Sequence, residues 1–285
     1  MALNRATRYP GRFDSVSTVS PQGAFKNRTS PTSEDGSYFE ADWANDWDGF
    51  FARILNVAGV TPNGSVDTGT SSQLYDALMS ATPGRLLNVR TLTSSAIYTP
   101  STGTKSIKVT LTGGGGGGGG CQASSTSGTF SGAGGGAGGT VVAWISSVAT
   151  SYSVTIGSGG AGGVGANAGS AGSSTVFGTF TAGGGGGGQK ASVTSTPGGL
   201  SGTASGGLIN QRGGDGSDGQ NGAYFVTGNG GSSFWGGGGR AGSGGGTVAK
   251  AAGSGGGGAY DVGVSGTSYT GGAGAAGIVV IEEYS

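Results

Sequence analysis

The chain has 285 residues, 71 of them glycine, with 14 basic and 14 acidic side chains, one cysteine and no histidine. Glycine this abundant without a strict three-residue repeat or much proline excludes collagen. Balanced charge with no basic stripe gives no reason to expect a nucleic-acid partner, Cys121 alone makes no intrachain disulfide, and a zinc site would have almost no ligands to draw on.

Nine of the glycines precede Gly113, leaving 62 from there onward, whereas 19 of the 28 charged residues come before it. The chain is two regions of different physics. Residues 1–36 carry Arg5, Arg8, Arg12, Lys26 and Arg28 with Pro10, Pro21 and Pro31, and too little apolar material for a core. They are expected as an extended arm, either a frayed terminus or a peptide that orders against a partner. The opening "MALNRATRYPGRFDSV" has no apolar signal core and no segment is long enough to span a bilayer, so synthesis in the cytosol and release by lysis are expected.

From Asp42 the apolar residues Trp43, Trp47, Phe50, Phe51, Ile54 and Leu55 recur at helical spacing, which predicts a helix over 42–57 closed by Gly59 and Pro62. Ser71 or Ser72 caps a second helix through Leu74, Leu78 and Met79, stopping before Pro83. A hairpin this small cannot bury so many rings alone, so the region 37–84 is expected to oligomerise through that stripe. The acids Glu34, Asp35, Glu40, Asp42, Asp46 and Asp48 invite a calcium site, but "DWANDWDG" fails the EF-hand register, with Ala44 at the first ligand and Leu55 at the last. Carboxylates near a helix N-terminus account for them better.

Beyond residue 85 strands alternate with glycine runs: "SIKVTLT", "TVVAWIS", "SYSVTIG", "STVFGTFTA" and "GIVVIEEY" read as strands of a small β-sandwich or open barrel. The runs 113–120, 132–139, 157–165, 183–188, 236–239, 242–246 and 253–258 read as polyglycine-II helices, three residues per turn with no internal hydrogen bonds. Lacking Cβ atoms, such helices can approach closely and pair their backbone groups with one another, which offsets the entropy that ordering glycine costs. The fold class expected is therefore mainly β and irregular: an arm over 1–36, a helical hairpin over 37–84, and a distal domain over 85–285 in which a small β-sandwich merges with a polyglycine-II bundle. Segments between runs carry the distinctive side chains. Tyr224, Phe225, Phe234, Trp235, Tyr260 and Tyr269 are candidate contact residues, with packing against the bundle as the alternative for the first four. No run opens an amphipathic helix with a lysine of P-loop type, so neither nucleotide nor other cofactor is expected.

"AIYTPSTGTKSIKVTLTGGGGGGGG" with the closing "GAAGIVVIEEY" resembles the glycine-rich domain at the C-termini of bacteriophage tail-fibre proteins, and "NVAGVTPNGSVDTGTSSQLYDAL" resembles a segment of tail-fibre N-terminal regions. The glycine tracts are also similar to the polyglycine bundle of the adhesins that cap T-even long tail fibres, although the N-terminal half does not match those adhesins. The resemblance implies a virion component, usually trimeric, whose N-terminus joins other tail or baseplate proteins and whose C-terminal domain points outward to a host surface protein or glycan. A structural plug or collar without receptor specificity is the second function it allows. It adds no catalytic residue. A glycan-cleaving enzyme would need a carboxylate pair in a cleft, and the distal domain offers Asp215, Asp218, Asp261, Glu282 and Glu283.

Overall fold

Rings and caps, rather than aliphatic residues, organise the first 83 residues. A computed structural model describes residues 4–38, 41–82, 84–123, 131–190, 196–219 and 228–285, in two units, Met1–Pro83 and Gly84–Ser285. In the first unit, α1 (Arg5–Arg8) is capped by the Asn4 side chain, which accepts from Thr7 N–H. The segment expected as an extended arm over 1–36 instead folds back on itself where it is described: Arg5 N–H bonds Gln22 C=O at 3.0 Å, Asp14 N–H bonds Ala24 C=O at 2.9 Å, and just beyond it Ser37 N–H bonds Lys26 C=O at 3.0 Å. The buried Arg5 guanidinium lies over the rings of Phe13 and Phe25, 5.4 and 4.6 Å from their centres, and donates to Gly23 C=O at 2.7 Å. Cation and rings here substitute for the missing aliphatic core.

The helix expected over 42–57 is α2 (Ala41–Ala58), ended by Gly59 in the left-handed region. The second is α3 (Gln73–Ala81), with Ser72 accepting from Tyr75 N–H. Asp67 reinforces that cap, taking the Ser72 hydroxyl at 2.7 Å and the N–H groups of Gln73 and Leu74 at 2.9 and 3.1 Å. The two helices pack against each other, yet α2 has no buried residue. Two of the acids that suggested calcium are otherwise engaged: Asp42 pairs with Arg8, and Asp35 accepts Thr29 N–H and the Ser33 hydroxyl. Glu40 lies outside the described residues.

The second unit starts from two five-stranded antiparallel sheets. One orders β1 (Leu86–Leu92), β12 (Ile278–Tyr284), β3 (Ser106–Thr112), β4 (Thr140–Ile145) and β9 (Ile209–Gln211). The other orders β2 (Ala96–Tyr98), β5 (Tyr152–Thr155), β6 (Thr175–Phe177), β7 (Phe180–Ala182) and β8 (Ala204–Ser205), and β10 (Gly242–Ser243) pairs with β11 (Ala259–Tyr260) in parallel. Alternate residues of each strand meet between the sheets, where Ile107, Val109, Leu111, Val279, Ile281 and Phe177 are fully buried. The chain is mainly β, as the alternation predicted, and "STVFGTFTA" is a hairpin turned at Gly178.

Strands then run straight on into glycine. Run 1 (113–120) leaves β3, and its N–H groups donate in rotation to three neighbours: Gly113, Gly116 and Gly119 to run 2 (132–139), Gly114 and Gly117 to run 4 (169–174), Gly115 and Gly118 to run 12 (270–277). Its carbonyls accept from run 3 (157–164), run 5 (183–189) and run 11 (253–259). Bonds that repeat every third residue and never close within the run are those of packed polyproline-II helices. The remaining members are run 6 (197–203), run 7 (213–219), run 8 (228–232), run 9 (237–241) and run 10 (246–249).

Run 2 is enclosed by runs 1, 11, 5, 6, 7 and 8, and run 11 by runs 1, 2, 8, 9, 10 and 12. Runs 1, 2 and 11 therefore touch one another, and the other nine close a ring around them: run 3 bonds to run 4, 4 to 5, 5 to 6, 6 to 7, 7 to 8, 8 to 9, 9 to 10, 10 to 12 and 12 to 3. Three inner helices in a complete ring of nine are one closed shell of hexagonal packing, in which the inner backbones satisfy one another as buried groups must.

Outer runs carry side chains where no helix covers them. Asp215 and Asp218, three apart on run 7, accept the N–H groups of Ser201 and Gly198 on run 6 at 2.6 and 2.7 Å. The bonds from Ser201 hold the Asp215 carboxyl below the usual carboxylate range. One expected run fails: at 242–246, Gly244 and Gly245 have φ of 77° and 152°, and Gly245 N–H bonds back to Gly242 C=O, so this stretch is a reversal between runs 9 and 10.

Candidate functional site

Because successive runs alternate in direction, the bundle has a sandwich end and a far end, and the far end is where chain segments are free of the sheets. Bridges tie its rim together: Cys121 with Tyr269, Ser131 with Tyr260, Val164 with Thr270, and Thr196 with Gly219. Between runs 11 and 12 the segment "YDVGVSGTSY" (260–269) stands on this rim. Its organiser is Asp261, 5% exposed, whose Oδ1 accepts Gly263 N–H at 3.1 Å and whose Oδ2 accepts the Ser265 N–H and hydroxyl at 2.8 and 2.9 Å. Gly266 N–H bonds Ala123 C=O at 2.6 Å, and the Gln122 amide donates to Gly266 C=O, anchoring the loop to run 1.

Held this way, Val262 and Val264 are presented to solvent, and Val264 has φ 48°, a conformation that costs a β-branched residue about 1–3 kcal/mol. Cys121, Ala123 and Ala259 form a small buried cluster beneath, with Tyr269 packed against it. Burial, with the Asp261 charge adding to it, pushes the Cys121 thiol up to about 12, so it is a packing residue and not a nucleophile at neutral pH.

The structure divides the candidate contact residues. Tyr260 and Tyr269 are on the far-end rim, where the Tyr269 ring also lies beside Gly244. Tyr224 and Phe225 fall in 220–227, outside the described residues. Phe234 and Trp235 are at the opposite end, in the turn between runs 8 and 9, where the Trp235 indole donates to the Thr112 hydroxyl at 2.9 Å at the junction of β3 and run 1. The segment "LINQR" (208–212), which sequence alone reads as a loop joining two runs, is largely β9, and "SSFW" (232–235) is this sandwich-end turn. Sequence reasoning did not single out Val262 and Val264; alternation of a β-branched residue with glycine, "DVGVSG", is the signal that could have drawn attention to them.

The hairpin candidates Trp43, Trp47, Phe50, Phe51, Ile54 and Leu55 all lie on α2, partly or largely exposed. Trp43, Trp47 and Phe51 form a ladder of rings 6.1 and 5.6 Å apart, with Phe50 5.5 Å from Phe51. The carboxylates weighed for glycan cleavage have structural partners: Glu282 pairs with Lys108 on the outer face of its sheet, and Glu283 with Arg90 and Tyr98 on the inner face. Neighbours on one strand point to opposite faces, so these two do not share a cleft. Among the described residues, no helix is long and apolar enough to cross a membrane, and no group of cysteine and carboxylate side chains is gathered as a metal site.

A family model described as a glycine-rich domain matches residues 91–284, more than half of the chain, and the chain belongs to that family. No curated protein matches the chain.

Proposed function

We propose that this member of the glycine-rich domain family is a bacteriophage tail-fibre component or tail-tip adhesin, joined to the virion through its N-terminal unit and binding a bacterial surface structure through the far end of the bundle. The observation that supports this most is the design of the second unit. The chain enters it through β1 in the sandwich, and the backbone lattice projects the rim at the far end about 25 Å beyond, at about 3.1 Å per residue for run 1. Loops on so rigid a base lose little entropy on binding, which favours recognition.

The test is adsorption of the purified chain to cells of a susceptible strain, competed by extracted outer-membrane material. Val262→Asp, on the exposed rim loop, is expected to lower binding at least tenfold with an unchanged melting temperature. Undiminished binding by that variant moves the contact off the rim, and no saturable binding by the intact chain favours the structural plug.

The same reading has the chain trimeric through α2. No residue of α2 is buried within its unit, and Trp47 and Phe50 are 38% and 49% exposed, an apolar ridge that a soluble chain covers with copies of itself. The expected solution mass is three times the 27.0 kDa of one chain. Phe50→Asp is expected to give monomers in which the glycine-rich unit melts as before; a monomeric mass for the intact chain at micromolar concentration sinks the trimer.

A further inference from the structure

Three cations of the first unit face one hollow with little acid to answer them. Arg12, Lys26 and Arg28 line a cavity of about 660 Å³ with Glu34, Ser37 and Tyr38. Ser37 builds it: its hydroxyl donates to Arg12 C=O at 2.7 Å and accepts Lys26 N–H at 3.0 Å, holding residues 12 and 26 side by side. Gly36 lies against the Arg28 backbone so closely that a Cβ there would come 2.7 Å from the Arg28 nitrogen. The Arg12 guanidinium is 5.0 Å from the centre of the Tyr38 ring, and Arg28 donates to Pro31 C=O at 2.8 Å.

Among the described residues none of the three cations has a carboxylate at ion-pair distance. Asp35 is committed to its own turn, where the Ser33 hydroxyl and Thr29 N–H keep it far below the usual carboxylate range. That leaves Glu34 as the lining acid. Three cations gathered around one acid repel one another and destabilise the fold that gathers them, and an anionic occupant removes the repulsion. The hollow is far larger than an inorganic anion, and the arginine stacked on Tyr38 gives it a flat wall that suits an extended chain. We infer that it seats an acidic, carboxylate-bearing peptide segment of the protein to which the first unit attaches. The inference rests on the attachment half of the proposed function.

The test is an anisotropy titration of the full-length chain with a fluorescein-labelled octaglutamate peptide. Saturable binding is expected, weakening as salt rises because the Debye length falls to about 8 Å at physiological ionic strength. Arg12→Gln with Lys26→Gln and Arg28→Gln is expected to lower affinity at least tenfold, while Arg212→Gln in the second unit changes nothing. Should the triple variant melt early, Lys26→Gln alone, whose side chain makes no hydrogen bond or ion pair among the described residues, is expected to lose about threefold. Equal binding by these variants overturns the site. An affinity for the peptide no greater than for inorganic phosphate assigns the hollow to a small anion and overturns the acidic segment. The titration needs no virion: a failed titration leaves virion attachment standing, and a successful one with charge-removed chains entering particles at normal copy number overturns attachment through this hollow.

Discussion

Gly116→Ala is expected to unfold the glycine-rich unit at temperatures where Gly237→Ala leaves it intact. Gly116 lies in run 1, one of the three inner glycine helices, and a Cβ there would fall on the backbone carbonyl of Gly186, well inside van der Waals contact. Moving run 5 away breaks the bonds from Gly136 N–H to Gly186 C=O and from Gly186 N–H to Leu200 C=O, and Gly116 itself bonds to Gly136 C=O and accepts from Gly256 N–H. Each buried group left unpaired costs about 1–3 kcal/mol. Three or four of them approach the whole stability of a domain, about 5–15 kcal/mol. Gly185→Val acts alike, since its Cβ meets Gly136 C=O.

Gly237 is the matched control. A Cβ there meets nothing within 4 Å and its φ is not in the left-handed region, so alanine fits and gains about 0.4–1 kcal/mol by restricting the unfolded chain. Thermal melts and protease digestion read the difference. Equal behaviour of the two variants would falsify the close-packed lattice. Ser195, the loop position that sequence alone suggests as a control, lies outside the described residues.

The octaglycine, conspicuous in the sequence, is one of three helices enclosed on every side, and the other two are "GAGGGAGG" and "GSGGGGA". Glycine content rises with enclosure because most covered directions forbid a Cβ; Ala133 and Ala137, fully buried in run 2, are the positions where one fits. An outer helix needs glycine only where it faces inward. "GSAGSS", "PGGLSGT" and "GGDGSDG" therefore pass for loops when consecutive glycines are counted, and read as helices only when glycine at every third position is sought. Missing them also hid which end a loop belongs to. Runs alternate in direction from the strand that starts them, so recognising run 8 in "GNGGS" places Phe234 and Trp235 at the sandwich end by parity alone. The strands and the helical hairpin were legible because alternation and helical spacing leave direct marks. The cation-and-ring cluster of Arg5, Phe13 and Phe25 left none, since its members are spread over 21 residues with no period.

Arg90→Ala is expected to destabilise the glycine-rich unit by about 1–3 kcal/mol at neutral pH: the buried Glu283 loses its cation, but the Arg90 side chain is 45% exposed and water screens the pair. Glu283 is fully buried on β12; its Oε1 accepts from the Tyr98 hydroxyl at 2.8 Å and lies 3.2 Å from Arg90 Nε. Burial pushes the Glu283 carboxyl up, but hydrogen bonds from Ser101 and Tyr98 and the Arg90 charge outweigh it, and the net direction is down. A carboxyl depressed in the folded state adds stability above its unfolded value of about 4.3, and that stability is lost as pH falls through the folded value. Without Arg90 the burial remains and one of the influences that hold the carboxyl down is gone, so the folded value moves up from where the parent has it. The deficit of the Arg90→Ala chain against the parent should therefore narrow as pH falls from 7 through the carboxylate range, because a protonated Glu283 needs no counter-charge. Glu283→Gln added to Arg90→Ala removes the charge altogether and should restore most of the loss at pH 7. Denaturant unfolding of the three chains at pH 3, 5 and 7 decides it. A deficit in Arg90→Ala that is constant across that range, with no rescue by Glu283→Gln, places the cost in the packing of the arginine stem and not in the buried charge.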